Sequence, residues 1–80
     1  MDAAQVTELV KEALPGCEVQ VQVDGNHYLV VAIGDRFDGM SPVKKQQLVY
    51  GALREQLDDG TIHALTIRAF TPAQWSARQQ

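Results

Sequence analysis

The sequence predicts an α+β fold: a small three-stranded mixed sheet with helices packed on one face, in the order α-β-β-α-α-β-α. Three observations lead there. The apolar repeat changes from three-and-four to two at Pro15-Gly16. A tight-turn tripeptide, Asp24-Gly25-Asn26, joins two apolar runs. Two cap-plus-proline pairs, Ser41-Pro42 and Thr71-Pro72, announce later helices.

The first element is a helix because Val6, Leu9, Val10, Ala13 and Leu14 make one apolar stripe. Asp2 is its expected cap, and its charge suits a helix N-terminus. Pro15 cannot continue the hydrogen-bond ladder and Gly16 tolerates the turn, so the helix stops there. Cys17, Val19, Val21 and Val23 then alternate with Glu18, Gln20 and Gln22, the pattern of a half-buried strand. After the turn, His27 to Ile33 is apolar on both parities, which suits a central strand.

Gly34 to Ser41 reads as a connecting loop. Ser41 caps a helix that runs through Val43, Val49, Tyr50, Leu53 and Leu57, with Gly51 as the point where it divides in two. Asp58-Asp59-Gly60 closes that pair, and Ile62 to Phe70 forms the last strand. Thr71 caps a final short helix carrying Trp75, with Gln74 placed to complete a capping box.

Eighty residues, 45% of them hydrophobic, are enough for a single domain spanning residues 1–80 with one modest core. The net charge of −3 argues against broad adhesion to nucleic acid, which needs several phosphate neutralisations. A confined contact through Arg36, Lys44 and Lys45 stays open. The lone Cys17 allows no internal disulfide and fits a reducing compartment. No run is long and apolar enough for a membrane span, and MDAAQVTELV lacks the basic start and apolar core of a signal peptide. The reading is a soluble, cytoplasmic protein.

Enzymatic constellations are missing. Gly34 and Gly39 have the separation of a phosphate-binding loop, but Met40 stands where its lysine belongs. Cys17 shares the valine parity and reads as a structural thiol, Ser41 as a cap, and Asp58 and Asp59 as turn residues. Two isolated histidines lack the paired spacing of zinc ligands. His63 shares parity with Leu65 and Ile67, which favours a partly buried imidazole, while its place at the strand's start lets it reach the rim of the sheet. Both readings stand at this point.

The runs FDGMSPVKKQQLVYGAL (Phe37 to Leu53) and IHALTIRAFTPAQW (Ile62 to Trp75) resemble the BolA family, and within it the short IbaG (YrbA) branch. The leading helix and hairpin fit as well. The resemblance implies a fold similar to the class II KH fold and a non-catalytic adaptor role in iron–sulfur handling and acid or oxidative stress. It implies a monothiol (CGFS) glutaredoxin as partner, with a 2Fe–2S cluster shared between the two chains and none expected in this chain alone. The partner's cysteine and glutathione would supply thiolates. The histidine of the family's HAL segment, here His63, would supply an imidazole. Because imidazole titrates near neutrality, a cluster so held would respond to acid.

This sequence departs from the family pattern twice. The longer loop that carries a second ligand in many members is only Asp24-Gly25-Asn26 here, and His27 is the nearest substitute. A basic "RHR" segment is replaced by Lys44-Lys45-Gln46-Gln47. The second reading, a DNA- or RNA-binding regulator using Arg36, Lys44 and Lys45 in the KH-like region, therefore has fewer donors. It also lacks the GXXG clamp of KH domains.

Overall fold

The computed structural model describes residues 2–78. Helix α1 spans Ala3–Ala13, β1 Glu18–Asp24 and β2 His27–Ile33; a single 3-10 turn, Asp35–Phe37, precedes α2 at Pro42–Ala52. Helix α3 covers Arg54–Asp58, β3 Ala64–Phe70 and α4 Pro72–Arg78. The sheet order is β1-β2-β3, with β1 antiparallel and β3 parallel to the central β2. The parallel pairing follows from the α2–α3 crossover, which returns the chain to the end of the sheet where β2 began.

Local chemistry explains most boundaries. Gln5 N–H donates to Asp2 Oδ1 at 2.9 Å while Asp2 N–H donates to Gln5 Oε1 at 3.0 Å, a complete capping box. Gln74 and Thr71 exchange the same pair of bonds at 3.2 and 3.0 Å. In the hairpin only Gly25 takes a positive φ, 59°, so the turn uses glycine at its first central position as a type II′ loop does. Asn26 needs no such conformation.

The core lies between the sheet and the α1–α2 layer. Val6, Val10 and Leu14 of α1 and Val49 and Leu53 of the crossover meet Val19, Tyr28, Val30, Ala32 and Ile67 from the sheet. By strand alternation the other face carries Glu18, Gln20, Gln22 and Asp24 from β1 and Thr66 and Arg68 from β3. Helix α4 leans on the end of β3, with the Trp75 ring 5.4 Å from that of Phe70.

Four expectations need correction. Val43 and Tyr50 are 63% and 42% exposed, because α2 turns Val49 rather than these two toward the sheet. Val23 is 43% exposed, since β1 is an edge strand whose burial fades toward the hairpin turn. The α2–α3 break falls at Leu53, not Gly51: Leu53 leaves helical geometry with φ −117°, and its side chain is fully buried. The Gly34–Ser41 segment is more than a connector, because its 3-10 turn drives Phe37 wholly into the core.

Candidate functional site

His63 owes its position to the turn between α3 and β3. Gly60 adopts φ +83°, the left-handed conformation that ends a helix. Thr61 N–H then donates to Asp59 Oδ1 at 2.8 Å, and Ile62 N–H donates to the Gln56 carbonyl at 3.0 Å. Thr61's side chain, then its backbone, hold the Asp59 carboxyl below the ordinary carboxylate value. Ile62 is buried to 1% exposure and anchors the chain. The next residue, His63, is thereby directed outward at the mouth of β3.

The imidazole is exposed, and no hydrogen bond ties it to another described residue. Its Cε1 lies over Gly60, 3.6 Å from where a Cβ on that residue would stand. The partly buried, satisfied imidazole suggested by strand parity is thus overturned. His63 lies just outside the ladder, which begins at Ala64.

His27 stands close by in register, since it pairs with Ala64 across the parallel ladder. Alternation nevertheless sends it to the polar face, where its Nε2 sits 2.7 Å from Thr66 Oγ1. His63 stands one residue before the ladder, at the same end of the sheet, where alternation assigns it no face. Among the described residues, no three His, Cys, Asp or Glu side chains gather into a metal site.

The three cations singled out in the sequence do not converge. Arg36 hydrogen-bonds the Cys17 side chain, Lys45 Nζ donates to Gln74 Oε1 at 3.2 Å, and Lys44 is exposed. Two other cations join Lys45 instead. Arg68 and Arg78 line the same groove beside the free edge of β3. The Arg78 guanidinium lies 5.1 Å over Phe70 and 5.9 Å over Trp75. The spacing of Trp75 and Arg78 on one helix turn hinted at that stack; nothing local pointed to Arg68.

Comparison with known proteins agrees with this architecture. The BolA-like protein family model matches residues 6–74. The chain belongs to the BolA family. It is 49% identical over 76 residues to the Escherichia coli acid stress protein IbaG, covering 95% of this chain and 90% of that one. Among solved structures it is similar to BolA1 from Arabidopsis thaliana, with a TM-score of 0.76 at 34% identity, covering 90% of this chain and 93% of that one. A BolA homologue from Coxiella burnetii superposes with a TM-score of 0.81 at 25% identity, covering 95% and 97%.

For a BolA-family chain the donor set matters. An exposed imidazole with an uncommitted nitrogen fits a single terminal ligand to a soft metal centre. Cys17 cannot join it. Glu18 pairs with Ile33 at the far end of β2 from His27, so the thiol lies about 20 Å along the strand from the histidine end. Any thiolates must come from outside this chain.

Cys17 has a separate signature. Burial pushes its thiol above the ordinary value of 9.0, opposed by the charge and hydrogen bond of Arg36. The folded state therefore holds the proton more tightly than the unfolded chain. That contribution is intact below the unfolded value and is lost as pH rises through the folded one. The wild type is expected to lose melting temperature more steeply than Cys17→Ala as pH is raised past 9.0. Parallel pH–Tm curves would remove the thiol as the titrating group.

Proposed function

We propose that this chain is a non-catalytic adaptor of the cytoplasm that pairs with a monothiol glutaredoxin and lends His63 to a 2Fe–2S cluster held between them. The observation that carries this reading is the free, exposed imidazole at the mouth of β3. A histidine retained for packing would be buried or bonded; this one is presented. The glutaredoxin cysteine and glutathione would supply the thiolates that this chain cannot bring to the same end of the sheet. A cluster so ligated carries electrons at a potential raised by exchange of thiolate for imidazole.

This chain's own part is positional. Ile62 fixes the approach of the strand, Gly60 supplies the left-handed turn before it, and the exposed turn keeps the ligand open to a partner's surface. His27 would serve as second ligand only by giving up Thr66. A role in acid stress, carried by the name of the E. coli relative, fits a ligand for which protons compete with the metal.

Co-expression with a CGFS glutaredoxin tests the reading through the visible spectrum of the purified pair. His63→Ala is expected to lose most of the cluster absorbance while both chains remain folded, and His63→Cys to retain it to lower pH. An unchanged spectrum in His63→Ala removes the residue from the site. Equal acid lability of wild type and His63→Cys removes the acid link. No observation favours the nucleic-acid reading to the same degree, since Arg36 is engaged with Cys17 and Lys45 with Gln74.

A further inference from the structure

Strand β3 is an edge strand, and half of its backbone has no ladder to join. Gly34 N–H donates to the Phe70 carbonyl at 3.0 Å, so Phe70 turns its backbone groups toward β2. In a parallel ladder that orientation alternates. Phe70, Arg68, Thr66 and Ala64 therefore face β2, while Leu65, Ile67 and Ala69 present N–H and C=O groups to the open side.

That open side is a groove, not a flat rim. Pro42, Lys45 and Gln46 of α2 form one wall and Gln74 and Arg78 of α4 the other, enclosing about 460 Å³ along Ile67–Phe70. Lys45, Arg68 and Arg78 surround it, and among the described residues no carboxylate lines it. Lys45 is satisfied by the neutral oxygen of Gln74, and Arg78 by aromatic faces. Among the described residues none of the three has an anionic partner. In a chain of net charge −3, three unneutralised cations around one unpaired strand edge are a specific arrangement.

We propose that the free edge of β3 captures an extended, acidic polypeptide segment as a fourth strand. The backbone groups of Ile67 and Ala69, continued by Leu65, supply the ladder. Lys45, Arg68 and Arg78 select side-chain carboxylates, and Arg guanidinium groups match carboxylate geometry well. An exposed edge is otherwise an aggregation hazard, and flanking cations are a common means of blunting it against further copies of the same strand. The same cations invite an acidic strand.

A polypeptide is favoured over nucleic acid by the ring chemistry. Bases bind open grooves by stacking on free aromatic faces. Here Phe70 and Trp75 pack on one another and on Arg78. The unpaired groups also repeat at the spacing of a polypeptide backbone. The groove is distinct from the His63 site: Ile67 to Phe70 lies about 13–23 Å further along the strand.

The test titrates the isotopically labelled full chain with an acetylated octapeptide of alternating valine and glutamate, read by amide NMR. The expected result is shifted and exchange-protected amides at Ile67 and Ala69. Binding weakens by about tenfold or more in Lys45→Glu/Arg68→Glu, and measurably in the uncharged Lys45→Gln/Arg68→Gln pair. Both residues project from the surface of the groove, and unchanged β1–β2 amides confirm the fold. His63→Ala binds the peptide as wild type does, which separates this groove from the proposed cluster site. Three results would overturn the proposal: unmoved Ile67 and Ala69 amides, equal binding of a valine–lysine octapeptide, or a single-stranded oligonucleotide that displaces the peptide from these amides.

Discussion

Phe37→Ala is expected to be the most damaging single truncation in the chain, costing about 3–5 kcal/mol. Phe37 is the largest of the fully buried side chains. Its position is unusual for a core anchor, on a 3-10 turn between β2 and α2. Removing the ring deletes the contact that holds this connector against both layers and leaves a cavity that a short, tethered turn closes poorly. An 80-residue domain has roughly 4–12 kcal/mol of total stability. The loss is therefore a large fraction of the whole. Urea denaturation followed by circular dichroism reads it as a large fall in midpoint at little change in slope.

Val43→Ala is the matched control. Val43 is 63% exposed, so its truncation is expected to stay within about 0.5 kcal/mol of wild type. If Phe37→Ala costs no more than Val43→Ala, the assignment of the connector to the core is wrong. The comparison also shows where sequence reasoning stops. Both residues are apolar and both sit beside a helix start, and nothing within a few residues of either says which is covered. Coverage is decided by the face α2 turns toward the sheet, a tertiary fact.

The same boundary runs through the rest of the molecule. Caps were legible because they are local: Asp2, Ser41 and Thr71 each bond a backbone N–H three residues on. The hairpin was legible because a two-residue turn needs a positive φ and Gly25 supplies it. The α2–α3 break was misplaced by two residues because glycine propensity pointed to Gly51, while burial of Leu53 set the actual site. Of the two readings open for His63, parity fails for a related reason. Alternation applies within a ladder, and His63 stands one residue before it. The family resemblance named this residue; only the fold shows that its ring is exposed. His27 with Thr66, and Lys45 with Arg68 and Arg78, are brought together from distant segments by register and helix packing. No local pattern could have grouped them.

Gly34→Ala is expected to destabilise the chain by about 1–3 kcal/mol, and Cys17 is expected to be the reason. Gly34 has φ −172°, an extended conformation open to any residue, so backbone strain makes no contribution. The obstacle is steric. A Cβ at this position would stand 2.5 Å from Cys17 Sγ, and only 3.4 Å from Cys17 Cβ. The thiol must swing away, and in doing so it gives up the guanidinium of Arg36.

A double-mutant cycle isolates that contact. Cys17→Ala removes the sulfur and leaves a carbon near ordinary contact distance, so Gly34→Ala should cost little in that background. In a domain of this size each kcal/mol recovered is about 4–8 °C in Tm. A Gly34→Ala penalty that persists undiminished with Cys17→Ala would place the cost in the backbone instead. The cycle also decides what this lone cysteine is for. Strong coupling makes Cys17 the filler that closes the β1–β2 end of the sheet against a glycine with no side chain of its own. That structural duty, about 20 Å from the histidine end, keeps the thiol away from His63.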